Sequence, residues 1–207
     1  MRLGVIYLGN FSDATEVAQF AAASRLTEFA FVLPVVVTTA SFPRLLRTRS
    51  EHGRDSIQYK SEVQRSLNYA FWTGLFFSVC AVVAGPFIIP LLFGDAYNSS
   101  ISILQLTALV LPFVFMGAVL SKWIIAEDLL LFSLWRNVLG LIMNIVLLAI
   151  LVPSLGALGA AIAYLTAFIT TNYLSFFWSA KSRAMAYAMT RTIYVPIVYS
   201  SEFLNQR

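Results

Sequence analysis

The chain has 207 residues, of which 59% are hydrophobic and only 12% carry a charge. Soluble domains carry roughly 25% charged residues, so this composition excludes an ordinary soluble fold and indicates an integral membrane protein. The net charge of +4 does not indicate nucleic-acid binding, because the bases lie between apolar stretches and towards the C-terminal end. That placement follows the positive-inside bias of membrane proteins.

The first apolar stretch, residues 3–11, is too short to span a bilayer, since a transmembrane helix needs ~20 apolar residues. An arginine followed by a short apolar run also fits a signal peptide. We prefer the end of a transmembrane helix that begins upstream, because Asp13 and Glu16 follow the run closely. Their three-residue spacing is a capping-box pattern that predicts a helix start.

The first full span is predicted over residues 17–43. Pro34 lacks an N–H and leaves the Ala30 carbonyl without its usual partner, so it should kink this helix. Residues 44–65 are predicted to form a cytoplasmic loop, whose later part is compatible with a short surface helix. The bases of this loop are Arg44, Arg47, Arg49, Arg54, Lys60 and Arg65.

Four further spans follow by apolar length alone. They are predicted over residues 66–94, 101–121, 129–152 and 158–180, and a tight uncharged turn at 153–156 separates the last two. Prolines and a glycine should bend the far end of the second span, and the third also contains a proline. Cys80, inside the second span, is expected to be a small buried apolar residue.

The charges of the connecting segments give a consistent orientation. Lys122, Lys181 and Arg183 fall on the same side as the 44–65 loop, whereas the turns at Asp95 and Pro153 fall on the opposite side. The predicted fold is therefore an all-α, polytopic transmembrane bundle with about five full spans and a truncated first one. It covers residues 1–183, and the tail from 184 to 207 is expected to lie on the membrane surface.

Two charged residues interrupt the first span. Arg25 and Glu28 are three residues apart and so share one helix face. A charge in hydrocarbon costs several kcal/mol, so an ionisable residue within a span is a candidate for function. One interpretation is a structural ion pair near the outer membrane face. The other is that Arg25 faces a central cavity and meets an anionic substrate group.

The fourth span carries a polar stripe. At ~100° per residue, Arg136, Asn137, Gly140 and Asn144 fall within one arc of the helix. Such a stripe is expected to face protein or water rather than lipid. Arg136 is also compatible with a snorkelling anchor, and the two asparagines with hydrogen bonds across a helix interface.

The remaining patterns indicate helix packing or the absence of a metal or catalytic site. Gly159, Ala163 and Ala167 recur every four residues and predict a close-packing seam. One cysteine and one histidine make no metal site, and His52 is expected to be solvated. There is no nucleophile paired with a base and no phosphate-binding glycine loop, so neither an enzyme nor a cofactor is expected.

Four stretches together resemble the C-terminal half of a bacterial transporter family. They are EVAQFAAASRLTEFAFVLPVVVTTASFPRLLR, with a mid-helix proline and a Phe-Pro exit; PFIIPLLFGDAYNSSISILQL, a helix–helix join; the Arg136-Asn137 pair; and LVPSLGALGAAIAYLTA. In this order and spacing they resemble the multidrug/oligosaccharidyl-lipid/polysaccharide exporter superfamily, most closely the Wzx-type polysaccharide and O-antigen flippases. The resemblance covers roughly residues 3 to 178.

The resemblance implies one lobe of a two-lobe transporter in the cytoplasmic membrane, which moves polyprenyl-pyrophosphate-linked oligosaccharide units for cell-surface polysaccharide and lipopolysaccharide synthesis. It implies that Arg25 and Arg136 meet the pyrophosphate, with Glu28, Asn137 and Asn144 beside them. Such proteins have twelve or more helices, so the N-terminal lobe would be supplied separately. The implied partners are the lipid-linked oligosaccharide, membrane lipids, that lobe and a polysaccharide polymerase.

Two alternatives stay open. A drug or cation antiporter of the same superfamily would need intramembrane acids, of which Glu28 is the only one within the predicted spans. A non-transporting membrane subunit of a polysaccharide assembly complex would fit the short length of the chain.

Overall fold

The computed structural model of the chain describes residues 1–178 and 182–194, except for the side chains of residues 36–42. The described residues are almost entirely helical. Nine α-helices follow one another along them: α1 (Arg2–Phe11), α2 (Ala14–Ala30), α3 (Val32–His52), α4 (Ile57–Phe93), α5 (Ser99–Ala108), α6 (Leu111–Ala126), α7 (Leu130–Ile169), α8 (Ser175–Trp178) and α9 (Arg183–Tyr194). The prediction of an all-α fold is confirmed.

Three helical segments are long and apolar enough to cross a membrane, which supports a membrane protein. They are Ile57–Phe93, Ser99–Ala126 and Leu130–Trp178. The middle segment, formed by α5 and α6, is the central one. In its most apolar stretch 67% is buried, compared with 17% in each of the other two segments. The outer faces of α4 and α7 are apolar and exposed.

The longest apolar segment is a hairpin. Gly156 has a φ of 54° and a ψ of −132°. These dihedral angles lie outside the helical region, so the chain reverses direction within α7 at this residue. A Cβ at Gly140 would overlap the Thr171 side chain, and Phe132 stacks edge-on against Phe176 with ring centroids 5.1 Å apart. Gly140 and Thr171 lie 16 and 15 residues from Gly156, and Phe132 and Phe176 lie 24 and 20 residues from it, so each pair joins the two sides of the turn. The two arms therefore run antiparallel and in contact, as the predicted turn at 153–156 requires.

Small residues allow this close approach. Gly159, Ala163 and Ala167 are all buried on the second arm, so the predicted seam is confirmed as a packing surface. Gly4 of α1 also packs near Ala160, and a Cβ built on Gly4 would lie 3.7 Å from the Ala160 Cβ. In lipid, helices associate through such van der Waals packing, because lipid tails are as apolar as the side chains.

The first predicted span is divided into two helices at a single residue. Helix α2 ends at Ala30, and Phe31 separates it from α3. The interruption lies three residues before Pro34, where the missing N–H releases a carbonyl, so the prediction of a proline defect is confirmed. The third predicted span is likewise divided at residues 109–110, and its proline, Pro112, stands in the first turn of α6.

Three local predictions are wrong. Residues 44–65 are not mainly a loop, because α3 continues to His52 and nothing in the polar sequence stops a helix before Gly53. The later part of the segment is helical, as the prediction allowed, since α4 begins at Ile57 and is capped by the Ser56 side chain. The predicted helix start is confirmed, because Asp13 is the N-cap residue of α2, but the capping box does not form: Asp13 makes no side-chain cap bond and the Glu16 carboxylate lies against Gly156.

Cys80 is exposed rather than buried. It is two residues, about 200°, around α4 from Ser78, which lies on the face that packs against the bundle. His52 is exposed as expected. The tail is described only to Tyr194, where α9 buries Met185, Ala186 and Met189 against the bundle; residues 195–207 lie outside the described part.

Replacing Gly156 with alanine is expected to destabilise the protein. An L-residue rarely adopts a φ of 54°, and the added Cβ would meet the Glu16 carboxylate. Strain of this kind costs about 1–3 kcal/mol. The measurement is the apparent Tm of the purified protein in detergent.

Gly9→Ala is the matched control, because a Cβ there has open space and a helical backbone. It should leave the Tm unchanged or raise it slightly. Equal Tm values for wild type and Gly156→Ala would contradict the reversal at Gly156.

Candidate functional site

The structure buries Arg136 where three elements meet. Arg136 is on α7, its side chain contacts Ser121 of α6 and Phe176 of α8, and the residue is only 6% exposed. The Nη2 atom donates to Ser121 Oγ at 3.4 Å, and the guanidinium lies over the Phe176 ring, 5.6 Å from its centroid. Ser121 Oγ in turn donates to the Gly117 carbonyl, so its lone pairs are available to Arg136.

Only part of the hydrogen-bonding capacity of this guanidinium is used. Within the described residues, Nε and Nη1 of Arg136 are buried and have no hydrogen-bond partner, and no carboxylate pairs with the side chain. The ring of Phe176 offers a cation–π contact, but such a contact replaces only part of the lost hydration. A planar cation with free N–H groups has the chemistry to bind a phosphate or carboxylate in a bidentate manner.

Polar residues of the second arm pack about one helical turn from Arg136 and from its partner Ser121. Residues Thr170–Leu174 form a π-helical turn, a feature frequently found at functional sites. Thr171 packs directly on Gly140, and Asn172 packs on Gly117. Sequence reasoning missed this group, although two threonines and an asparagine in succession inside an apolar span are the signal that could have found it.

The predicted stripe is divided by the fold. Arg136 and Gly140 are buried, Asn144 is half-buried and Asn137 is exposed. Asn137 is one residue, about 100°, further around the helix than Arg136, which turns it away from the second arm.

Arg25 and Glu28 lie on α2, away from the contacts of Arg136. Arg25 is exposed on α2 and Glu28 is half-buried, and the described contacts include no ion pair between them. Among the described residues no hydrogen bond or ring contact joins either of them to Arg136. An exposed arginine is stable beside water or a polar partner and not beside lipid, so this face of α2 does not suit lipid.

The sequence patterns did not predict a buried acid at the end of the bundle that carries the bases of residues 44–65, which we call the basic end. Glu127 ends α6, and its side chain is 1% exposed. Its Oε1 accepts from the Tyr59 hydroxyl at 2.9 Å and lies 3.5 Å from Arg49 Nε, while Arg54 Nε contacts Oε2. Glu127 thus ties together the end of α3, the turn after it, the start of α4 and the end of α6.

Exchanging Glu127 for glutamine should weaken the protein, because Arg49 and Arg54 lose their shared counter-charge while the amide stays buried. Bonds to charged groups contribute about 1.5–3 kcal/mol, and partial solvation of the arginines places the expected loss near the lower value. Thermal unfolding in detergent measures it.

The control is Asp128→Asn, which removes the same charge from the next residue. Asp128 is exposed and has a φ of 58°, which asparagine tolerates. An equal Tm shift for both variants would show that net charge, rather than the buried Glu127 network, governs stability.

Comparison with known proteins adds no relative. The chain matches no protein-family model, no curated protein and no solved structure.

Proposed function

We propose that the chain is the C-terminal lobe of a flippase that moves polyprenyl-pyrophosphate-linked oligosaccharide units across the cytoplasmic membrane. The observation that carries the proposal is the buried Arg136, whose Nε and Nη1 have no partner among the described residues. A cation kept in an apolar layer without a carboxylate is suited to an anion that arrives as substrate. A pyrophosphate is such an anion, and the motif resemblance points to the same substrate class.

The proposed topology has five crossings. The hairpin segment of 49 residues would be about 73 Å long as one straight helix, at 1.5 Å per residue. The hydrocarbon core is only about 30 Å thick, so each arm makes its own crossing. Helix α4, the α5–α6 pair and the interrupted α2–α3 pair supply the other three.

The exposed Arg25 fits the same proposal. In a two-lobe transporter, the face of α2 that carries Arg25 and Glu28 would line a water-filled cavity against the other lobe. Arg136 would then hold the phosphate from within the lobe, and Arg25 would meet it from the cavity side. Asn144 and Asn137 lie on the Arg136 arm, and the half-buried Asn144 is the better placed of the two.

Loss of the gene should cause lipid-linked oligosaccharide to accumulate on the inner leaflet. The expected result follows because synthesis continues while transfer stops. The measurement is the accessibility of the oligosaccharide to a membrane-impermeant glycosidase in spheroplasts compared with inverted vesicles.

Other outcomes distinguish the alternatives. Unchanged lipid-linked pools with normal surface polysaccharide would contradict the flippase proposal. Drug sensitivity with normal polysaccharide would favour an antiporter, and missing polysaccharide with normal transfer would favour a non-transporting assembly subunit.

Arg136→Ala should reduce export more strongly than Arg136→Lys, because lysine keeps the charge and loses the bidentate geometry. We expect a loss of tenfold or more for alanine. Export is measured as surface polysaccharide in a complemented deletion strain, at equal membrane levels of each variant.

Arg65→Ala is the matched control, since Arg65 is an exposed arginine at the basic end that lies over the Tyr69 ring. It should export normally. Wild-type export by both Arg136 variants would show that Arg136 is an interfacial anchor and would remove the main support for the proposal.

A further inference from the structure

A separate cleft opens at the basic end of the bundle. It has a volume of about 480 Å³ and lies between the start of α4, the end of α6 and α9. Small-molecule sites typically measure about 300–1,000 Å³, so this volume suits a ligand. Helix α9 is held across the cleft by Gln64, whose Nε2 donates to Thr192 Oγ1 at 2.8 Å and to the Ala188 carbonyl at 3.1 Å.

The cleft has a surplus of available positive charge. Arg54, Lys60 and Arg191 line it, together with two acids, Asp55 and Glu127. Glu127 is already neutralised by its buried network with Arg49 and Arg54.

The two cations that remain are weakly engaged. Lys60 Nζ lies 3.6 Å from Asp55 Oδ1, but the two side chains are 64% and 96% exposed. An exposed pair of this kind contributes little and is readily exchanged. Arg191 makes no ion pair with any described residue. Lys60 and Arg191 are therefore available to an anion.

The rest of the wall is largely apolar. Val63, Trp123, Met185 and Ala188 line the cleft beside the polar Gln64 and Asn68. A small hydrated anion would gain nothing from this wall, whereas an anion attached to an apolar body would cover it. The bases also mark the end predicted to face the cytoplasm, where basic pockets between membrane helices bind anionic headgroups.

We infer that this cleft binds a phosphate group carried on an apolar body, with the phosphate between Lys60 and Arg191. The source is either an anionic phospholipid of the inner leaflet or a soluble organic phosphate. The inference requires only that the chain is embedded in a membrane and does not depend on the proposed transport of oligosaccharide.

The test uses the full-length chain in nanodiscs and two probes. Phosphatidylglycerol is titrated into phosphatidylcholine nanodiscs and its retention is measured by native mass spectrometry. Phenyl phosphate is titrated into pure phosphatidylcholine nanodiscs by calorimetry. Retention of phosphatidylglycerol identifies the lipid as the source, and binding of phenyl phosphate alone identifies a soluble ligand. Binding of neither probe overturns the inference.

The decisive variant is Lys60→Gln combined with Arg191→Gln. Each cation is expected to make a direct charge-assisted hydrogen bond to the phosphate, so removing both should weaken Kd by tenfold or more. The matched control is Arg65→Gln combined with Arg183→Gln, which removes the same charge from the same two helices outside the cleft and should bind like wild type. Equal weakening in both double variants would show diffuse surface electrostatics and overturn the site.

A third variant tests the location without changing charge. Ala184 is exposed and lines the cleft, so Ala184→Trp should occupy the space with little cost to folding. It is expected to weaken binding at an unchanged Tm. Wild-type affinity in this variant, at a normal Tm, would place the ligand elsewhere.

Discussion

The reversal at Gly156 is the constraint on which the rest of the bundle depends. Lipid supplies no hydrophobic force between helices, so the two arms of α7 must be held by close packing. Glycine permits the positive φ at the turn, and Gly140 lets the second arm approach at Thr171. The same fold-back carries Phe176 over Arg136. A straight α7 would not have this contact.

Apolar length predicted the three long apolar segments, and the count of five spans stays a prediction. The same signal predicted the polar parts poorly. The turn at 153–156 and the defect near Pro34 follow from backbone chemistry that the sequence displays directly. The loop predicted over 44–65 is instead the end of α3 and the start of α4. Hydropathy indicates which residues suit the hydrocarbon layer, but it does not indicate where a helix ends. A helix continues beyond the membrane until a residue such as Gly53 ends it.

The candidate site was predictable only in part. A polar stripe on an apolar helix indicates an inward face, and Arg136 and Gly140 do lie buried. Nothing local indicates that Glu127 is buried, because its partners come from residues 68 to 78 positions away along the chain. For the same reason the Glu16 carboxylate, expected to cap its own helix, is found against Gly156. Local patterns predict which residues are unusual, and tertiary packing decides what they contact.

The buried charges at the basic end and in the apolar layer differ in whether they have a permanent partner of opposite charge. At the basic end, Glu127 gives Arg49 and Arg54 a permanent partner, and breaking such a buried network is costly, so these arginines serve the structure. Within the apolar layer, Arg136 has one long hydrogen bond and an aromatic ring, with no carboxylate among its described contacts. A permanent acid beside it would satisfy the charge but would also compete with any incoming anion. An arginine kept without one is costly to the fold and useful to a protein that binds anions only transiently.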